Sequence, residues 1–209
     1  NGTTHRVMPD RIEAGTLILA SAITNGNLTI TNCPIDSLLA LGDRLDRVGV
    51  HASSTHDAGP RGERSTVEVS SERVLKPVQI STHPHPGFPT DLQAQMMALL
   101  CLADGNSVIT ERIFPERFMH VAELSRMGAR LFRQGPTVVV SGVRKLVGAP
   151  VMASDLRASA SLVLAGLAAE GQTTIRRVYH LDRGYETLDK RLIALGADIE
   201  RVNDQSLDI

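Results

Sequence analysis

Two arginines occupy equivalent positions in a chain that repeats its own pattern. Within its 209 residues, three similar stretches each contain two helical segments that are closed by glycine. Arg117 and Arg183 follow the first closing glycine of copies two and three by 12 residues, whereas copy one has Leu38 at this position. Each arginine also falls at the predicted start of a helix, where backbone amides favour anions. A position that holds leucine once and arginine twice therefore predicts that two copies hold an anion, which the planar guanidinium binds bidentately.

Two aspartates stand at the entrances of predicted helices in copies two and three. Asp91 ends the run Phe-Pro-Thr-Asp, where a helix cap or a first-turn acid is the alternative to a catalytic carboxylate. Asp155 and Arg157 open a helical segment that has no charged residue from position 158 to 169. A charged pair at such an entrance indicates a functional site, and the alternative is an N-cap with a structural salt bridge.

Other charged and imidazole groups favour structural roles. Asp10, Arg11 and Glu13 lie at the similar place in copy one, where we expect a structural or interdomain ion network rather than a direct ligand. His83 and His85 lie in His-Pro-His-Pro, which holds the chain extended, and no acid or cysteine spacing completes a metal site. We therefore predict no bound metal.

Composition narrows the class of protein. The net charge of -1 gives no bias toward nucleic acid or membranes, and no stretch reaches the ~20 apolar residues of a membrane helix. Hydrophobic residues make up 42% and aromatic residues only 3%, so the core must be aliphatic and rich in alanine. Cys33 and Cys101 have no paired spacing, and the beginning of the chain shows no secretory signal. We expect a cytoplasmic protein with reduced thiols.

The closing glycines define the elements that must position these side chains. They are spaced 23, 23 and 25 residues apart, as Gly26 and Gly49, Gly105 and Gly128, and Gly171 and Gly196. The first helix of each copy consists of small and apolar residues around its whole circumference, which predicts that this helix is buried. The second helix of each copy is amphipathic. The pattern predicts α/β units of order β-α-β-α-β-β at about 5–82, 83–146 and 147–209, related by a pseudo-threefold axis. The third unit is incomplete, so another segment or a partner must supply one or two strands.

Long runs of the sequence resemble the enolpyruvyl transferase family from about His5 to Val202. They are MPDRIEAGT, HPGFPTDLQAQ, ITERIFPERFMHVAELSRMGA, VMASDLRASASLVLAGLAAEG and YHLDRGYETLDKRLIALGADIERV. The resemblance implies the second of two domains, each an inside-out α/β barrel, with the first domain absent from this chain. It also implies that a catalytic lysine, further arginines and a loop with a cysteine lie in that absent N-terminal half. Neither Cys33 nor Cys101 is then the loop cysteine.

The resemblance implies an activity as well as a fold. The runs FPTDLQAQ and RFMHVAEL favour the branch that transfers the enolpyruvyl group of phosphoenolpyruvate to the 3-hydroxyl of UDP-N-acetylglucosamine. This reaction releases phosphate through a tetrahedral ketal, needs no cofactor, and is the first committed step of peptidoglycan synthesis. We expect the chain to be inactive without its other half. Two alternatives remain: a shikimate-type acceptor, or a non-catalytic binding module of the same fold, which the intact charged residues argue against.

The same resemblance assigns roles to individual residues. Asp91 is the candidate base at the sugar hydroxyl, and Asp155 lies near the tetrahedral centre. Three arginines are expected to bind phosphoenolpyruvate and its phosphate: Arg117, Arg157 and Arg183. Ile113 and Phe114, in the loop before the second helix of copy two, are expected to contact the uridine and the sugar. The expected catalytic set is Asp91, Asp155 and Arg183.

Overall fold

The computed structural model describes residues 2–5, 7–59, 62–72 and 74–202, with backbone only for 56–59 and 62–64. The helices are α1 (Arg11–Ile23), α2 (Leu39–Val48), α3 (Gln93–Leu100), α4 (Met119–Arg126), α5 (Leu156–Ala168), α6 (Tyr179–Asp182) and α7 (Leu188–Ala194). The strands are β1 (Leu28–Ile30), β2 (Val50–Gly59), β3 (Gly62–Ser71), β4 (Gln79–Ser81), β5 (Asn106–Thr110), β6 (Arg130–Gln134), β7 (Thr137–Ser141), β8 (Leu146–Val147), β9 (Pro150–Met152), β10 (Ala169–Glu170) and β11 (Thr174–Arg176). Short 3-10 turns at Ile35–Leu38 and Thr90–Leu92 lead into α2 and α3.

The three helices that are apolar all round pack against one another. Contacts join α1 with α3, α3 with α5, and α1 with α5. Every residue of α3 is buried, as the apolar periphery of this segment predicts. Small residues allow the close approach: a Cβ added to Gly15 of α1 would lie 2.5 Å from a Leu92 methyl group. These helices form the core that carries the site.

The sheets differ among the three copies. Copy one has an antiparallel sheet of order β1-β3-β2, and copy two has a sheet of order β4-β5-β7-β6 in which β4 and β5 run parallel. Side chains along β7 alternate between the two faces of the sheet, and Val138 and Val140 are the ones buried in the core. Copy three has two short parallel pairs, β8 with β10 and β9 with β11, and no strand follows α7 up to residue 202. Within the described residues, the order β4-α3-β5-α4-β6-β7 is the one complete match to the predicted unit, and its first strand, β4, lies just before the predicted boundary at 83.

Two boundaries that the sequence predicts differ from the structure. The run AGPRGER predicts a turn from Ala58 to Arg64, but β2 and β3 pair as far as Gly59 and Gly62, and residues 60 and 61 lie outside the described part. The run SVITERIF predicts a β-rich segment after α3, but β5 stops at Thr110. Beyond Glu111 the amides of residues 112–114 donate to the side chains of Thr82 and Glu111 instead of to a neighbouring strand.

Five of the six closing glycines have a positive φ. Gly49, with φ of 96°, ends α2 and donates its amide to the Leu45 carbonyl, and Gly128 and Gly196 likewise follow the last turns of α4 and α7. The predicted closing glycine is wrong for α3 and α5, which end at Leu100 and Ala168, before Gly105 and Gly171. At Gly26 the neighbouring Asn25 takes the positive φ, of 52°, because asparagine tolerates this conformation better than most residues.

Both cysteines are buried free thiols. Burial raises the pKa of Cys33 to about 11 and that of Cys101 to about 12. Since the thiolate is the reactive form, neither side chain is a nucleophile in this fold. None of the described helices combines the length and the apolar character that crossing a membrane requires.

Candidate active site

Three of the predicted site residues meet at one carboxylate oxygen. Asp91 lies in the single turn before α3, and its Oδ1 is 3.3 Å from Arg117 Nη1 and 3.1 Å from Arg157 Nε. The three side chains keep 37%, 31% and 19% of their surface exposed, so they remain open to a ligand. They line a cleft of about 460 Å³ together with Met119, Asp155 and Leu156. Copies two and three thus supply one cluster of two cations and an anion.

Arg157 is the most deeply placed cation of the cluster. Burial lowers its pKa, but the hydrogen bond and the charge of Asp91, with a smaller effect of Tyr185, raise it more, so the net pKa is above the ordinary value. The guanidinium is therefore permanently charged. A permanent cation that faces a cleft suits a phosphate or a carboxylate ligand.

Asp155 caps α5 and also lines the cleft. Its Oδ1 accepts the backbone amides of Arg157 at 2.7 Å and Ala158 at 2.8 Å. This is the N-cap that the sequence left open as an alternative, and it fixes the first turn on which Arg157 stands. The cap and a role in the cleft are compatible, because Asp155 is one of the lining residues.

Arg117 lies two residues before α4 and is held by two contacts. Its guanidinium carbon is 4.0 Å from the centre of the exposed Phe114 ring, which is a cation–π contact. Its second contact is the ion pair with Asp91. The amide of Ile113, which is half-buried, donates to Glu111. Of the two predicted nucleotide-sugar residues, Phe114 therefore contacts the cluster through Arg117, and Ile113 is its neighbour in sequence.

Arg183 is not brought into this cluster. It is exposed, it does not line the cleft, and its side chain has no hydrogen bond or ion pair within the described residues. It follows α6 at its C-terminal end, so the expected position at a helix start is wrong for this residue. A cation at a helix C-terminus is electrostatically favourable, which accounts for the position. Its counterpart in copy one, Leu38, is buried in the core.

The charged residues of copy one form structural contacts, as expected. Asp10 caps α1 through the amide of Ile12 at 2.7 Å. Glu13 pairs with Arg191 of α7 at 2.6 Å, which joins copy one to copy three. Arg11 lies 2.6 Å from the ring Nδ1 of His85.

A buried polar network beneath the cluster was not predicted. The Tyr185 hydroxyl lies 2.9 Å from Thr16 Oγ1 of α1 and 3.2 Å from Gln95 Nε2 of α3. Gln95 Nε2 also donates to the backbone carbonyl of Asp91 at 3.0 Å. The network therefore links all three copies to the backbone of the residue that receives both arginines. Glu111, a second residue that was missed, is buried beside the same turn.

Comparison with solved structures defines the fold. The enolpyruvyl transferase NikO of Streptomyces tendae superposes with a TM-score of 0.80 at 34% identity, over 93% of this chain and 44% of that protein. EPSP synthase of Acinetobacter baumannii gives a TM-score of 0.66 at 20% identity, over 95% of this chain and 45% of the other. The chain therefore has the α/β fold of the enolpyruvyl transferases.

Sequence comparison then gives the family. The family model described as EPSP synthase (3-phosphoshikimate 1-carboxyvinyltransferase) matches residues 1–192, so the chain belongs to this family. The UDP-N-acetylglucosamine 1-carboxyvinyltransferase of Lawsonia intracellularis is 53% identical over 98% of this chain and 47% of that protein. The Geotalea daltonii protein of the same name is 55% identical over 96% of this chain and 46% of that protein. The chain spans about half the length of the curated relatives it matches.

Proposed function

We propose that this chain is the acceptor-binding half of a UDP-N-acetylglucosamine 1-carboxyvinyltransferase. The proposed enzyme transfers the enolpyruvyl group of phosphoenolpyruvate to the sugar 3-hydroxyl and releases phosphate, in the cytoplasm, as the first committed step of peptidoglycan synthesis. The observation that carries the proposal is the contact of Arg117 and Arg157 with one oxygen of Asp91 at the cleft. This contact supports the proposal because two cations and a carboxylate then line one cleft.

The chemistry explains why such a cluster is useful. The sugar oxygen bonds to C2 of phosphoenolpyruvate, the hydroxyl proton passes to a base, and C3 takes a proton from an acid, which gives a tetrahedral ketal. Loss of phosphate from C2 and of one proton from C3 then leaves the enolpyruvyl ether. Phosphoenolpyruvate carries a phosphate and a carboxylate throughout. Arginines that face these groups stabilise the charge that moves to the leaving phosphate.

Asp91 is the proposed base, and its contacts suggest how it becomes available. Both arginines contact Oδ1, and no hydrogen bond to Oδ2 is present among the described residues. An arriving phosphate or carboxylate competes with Oδ1 for Arg117 and Arg157. Substrate binding would then weaken the ion pairs that hold Asp91 as a counter-ion and leave its carboxylate to accept the hydroxyl proton. Binding and activation are coupled in this proposal.

The remaining predicted roles also belong to the proposal. Asp155 caps α5 and lines the cleft, so it would face the ketal while fixing Arg157. Ile113 and Phe114 would contact the uridine and sugar from the loop before α4. Arg183 is exposed on this chain, and we propose that it meets phosphoenolpyruvate across the surface that the other half of the enzyme covers. That half would supply the lysine and the cysteine loop.

The acceptor is the nucleotide sugar rather than a shikimate compound in this proposal. Relatives named for the nucleotide sugar are 53% and 55% identical to this chain, whereas the EPSP synthase structure is 20% identical. The latter value supports a shared fold and no more. The clustered charged side chains likewise favour an enzyme over a non-catalytic module.

Phosphate release from phosphoenolpyruvate and UDP-N-acetylglucosamine tests the proposal. We expect no release by this chain alone and turnover when it is joined to the N-terminal half of the Geotalea daltonii relative. Asp91→Asn in the joined protein should lower kcat by about 100-fold or more, since it removes the base. Asp43→Asn is the matched control, because Asp43 also lies between two arginines, Arg44 and Arg47, but on the exposed side of α2. Equal activity of the two variants, or no turnover by the joined wild-type protein, would contradict the proposal.

A further inference from the structure

Glu111 is a fully buried carboxylate with four hydrogen-bond donors and no cation. Its Oε1 accepts from Thr82 Oγ1 at 2.7 Å and from the amides of Ile113 and Phe114 at 2.8 and 3.0 Å. Its Oε2 accepts from Thr90 Oγ1 at 2.9 Å. Within the described residues no lysine, arginine or histidine pairs with it. An isolated buried charge is costly, so these four donors must be what stabilises it.

The direction of each hydrogen bond follows from the neighbouring contacts. The two backbone amides can only donate. The Thr82 hydroxyl accepts the amide of Arg112 at 2.8 Å, so its own proton is free for the glutamate. The arrangement therefore matches an acceptor-only group, which an ionised carboxylate is.

The four donors belong to two irregular segments that both end at the candidate site. One segment runs from Thr82 to Thr90 and continues directly into Asp91. The other follows β5 and carries Phe114 and Arg117. Beyond the ends of β4 and β5 neither segment is held by the regular hydrogen bonds of a sheet. Glu111 bonds to both segments. The 3.3 Å contact between Arg117 and Asp91 spans these same two segments.

We propose that Glu111 is a positioning residue that sets the spacing between Asp91 and the Phe114–Arg117 loop. The inference rests on the proposed function, because it concerns the geometry of the same site. Glu111 does not line the cleft, so it acts through the residues it holds and not on the substrate. Misplacement of a reacting group by about 1 Å lowers rates by about 100-fold, which makes such a brace important for catalysis.

Glu111→Gln and Glu111→Ala separate positioning from charge. In the glutamine variant the amide oxygen can accept the three donors of Oε1, and the amide nitrogen can donate to the Thr90 hydroxyl, so all four contacts survive. In the alanine variant all four are lost. For the joined protein described above, we expect Glu111→Gln to keep kcat/KM within a few-fold, and Glu111→Ala to lower it by about 100-fold. A glutamine variant as poor as the alanine variant would overturn the proposal, because charge would then be the essential property.

Ser107→Ala is the matched control for stability. The Ser107 hydroxyl accepts a hydrogen bond from the Val78 amide at 3.1 Å. This buried contact joins β4 and β5 at the end opposite to the one where Thr82 bonds to Glu111. We expect it to lower the melting temperature while kcat/KM stays within a few-fold. If Ser107→Ala lowers kcat/KM as much as Glu111→Ala does, Glu111 contributes only general stability and the proposal fails.

Trypsin provides a readout that does not depend on turnover. Arg112 and Arg117 lie in the braced loop, and release of the loop in Glu111→Ala should speed cleavage there by about tenfold or more below the melting temperature. An unchanged cleavage rate would overturn the proposal. If wild-type protein shows no turnover but the cleavage rates differ as expected, the proposed function fails and the brace stands. Should Glu111→Ala not fold, Thr90→Val and Thr90→Ser replace it, with loss expected for valine and rescue for serine.

Discussion

Replacing Tyr185 by phenylalanine should destabilise the chain less than its central, buried position suggests. Thr16 donates to the Ile12 carbonyl at 2.8 Å, so its oxygen must accept the Tyr185 proton at 2.9 Å. Without that hydroxyl, Gln95 Nε2 still reaches Thr16 Oγ1 at 3.2 Å and the Asp91 carbonyl at 3.0 Å. No buried donor loses its last acceptor. The expected loss of unfolding free energy is that of one ordinary hydrogen bond, about 1 kcal/mol.

The isosteric change on the other side of the same bond should cost more. In Thr16→Val the Tyr185 proton loses its acceptor inside the core, while Gln95 keeps its bonds to the Tyr185 hydroxyl and the Asp91 carbonyl. Removing a partner so that a buried donor is left unsatisfied costs about 1–3 kcal/mol. We therefore expect Thr16→Val to lower the unfolding free energy by up to about 3 kcal/mol, more than Tyr185→Phe.

Equilibrium urea unfolding, followed by circular dichroism, measures both changes. Tyr179→Phe is the control, because Tyr179 is exposed and, within the described residues, its hydroxyl bonds only to the Arg177 side chain, at 3.2 Å. Loss of this hydroxyl should change the unfolding free energy by no more than about 0.5 kcal/mol. A larger loss for Tyr185→Phe than for Thr16→Val would refute the assignment of donors and acceptors. Catalysis by the joined protein should be nearly unchanged in Tyr185→Phe, since Gln95 still holds the Asp91 backbone.

Three further predictions concern other sites. Gly142→Ala should destabilise the chain by about 3 kcal/mol or more, because the added Cβ would lie 1.6 Å from the Ala103 carbonyl oxygen. In α2, Gly42→Ala meets open space and should stabilise the chain by up to about 1 kcal/mol. Thermal unfolding compares the two variants. Burial lowers the pKa of His120 to about 4, so the unfolded state binds more protons between that pH and 6.5, and the unfolding free energy should fall by up to about 1.4 kcal/mol per unit as the pH is lowered through this window. His120→Gln should show a smaller slope in urea titrations, and an equal slope would assign the effect to other groups. Arg157→Lys should raise the KM for phosphoenolpyruvate, measured by phosphate release, because lysine lacks the planar fork, and an unchanged KM would remove Arg157 from the binding site.

The parts of the site that depend on neighbours in sequence were predictable. The cap at Asp155 and the burial of the helix after it follow from residues within one turn and from a run without charge. The shared position of Arg117 in the repeat also placed it before α4. These features are local, so the pattern of residue types is enough to indicate them.

The parts that depend on distant contacts could not be read in this way. The sequence around Glu111 is equally consistent with an exposed glutamate that follows a strand. Its proposed positioning role depends on contacts with Thr82 and Thr90, which are distant in sequence. Tyr185 meets Thr16 across 169 positions. The repeat predicted Arg183 by analogy with Arg117, but copy three forms the separate helix α6 there, so equivalent positions in sequence are not equivalent in surroundings.

The contacts between copy one and copy three have a consequence for how the protein is made. Glu13 pairs with Arg191, and Thr16 bonds to Tyr185, so both partners of α1 come from the last part of the chain. During synthesis Thr16 of α1 emerges 169 residues ahead of Tyr185, so these contacts form only after the segment between them has been translated. Closing such a long loop costs conformational entropy, and contacts between distant parts of a chain therefore form slowly. Until then the side of α1 that Tyr185 and Arg191 cover is open to chaperones and to other nascent chains.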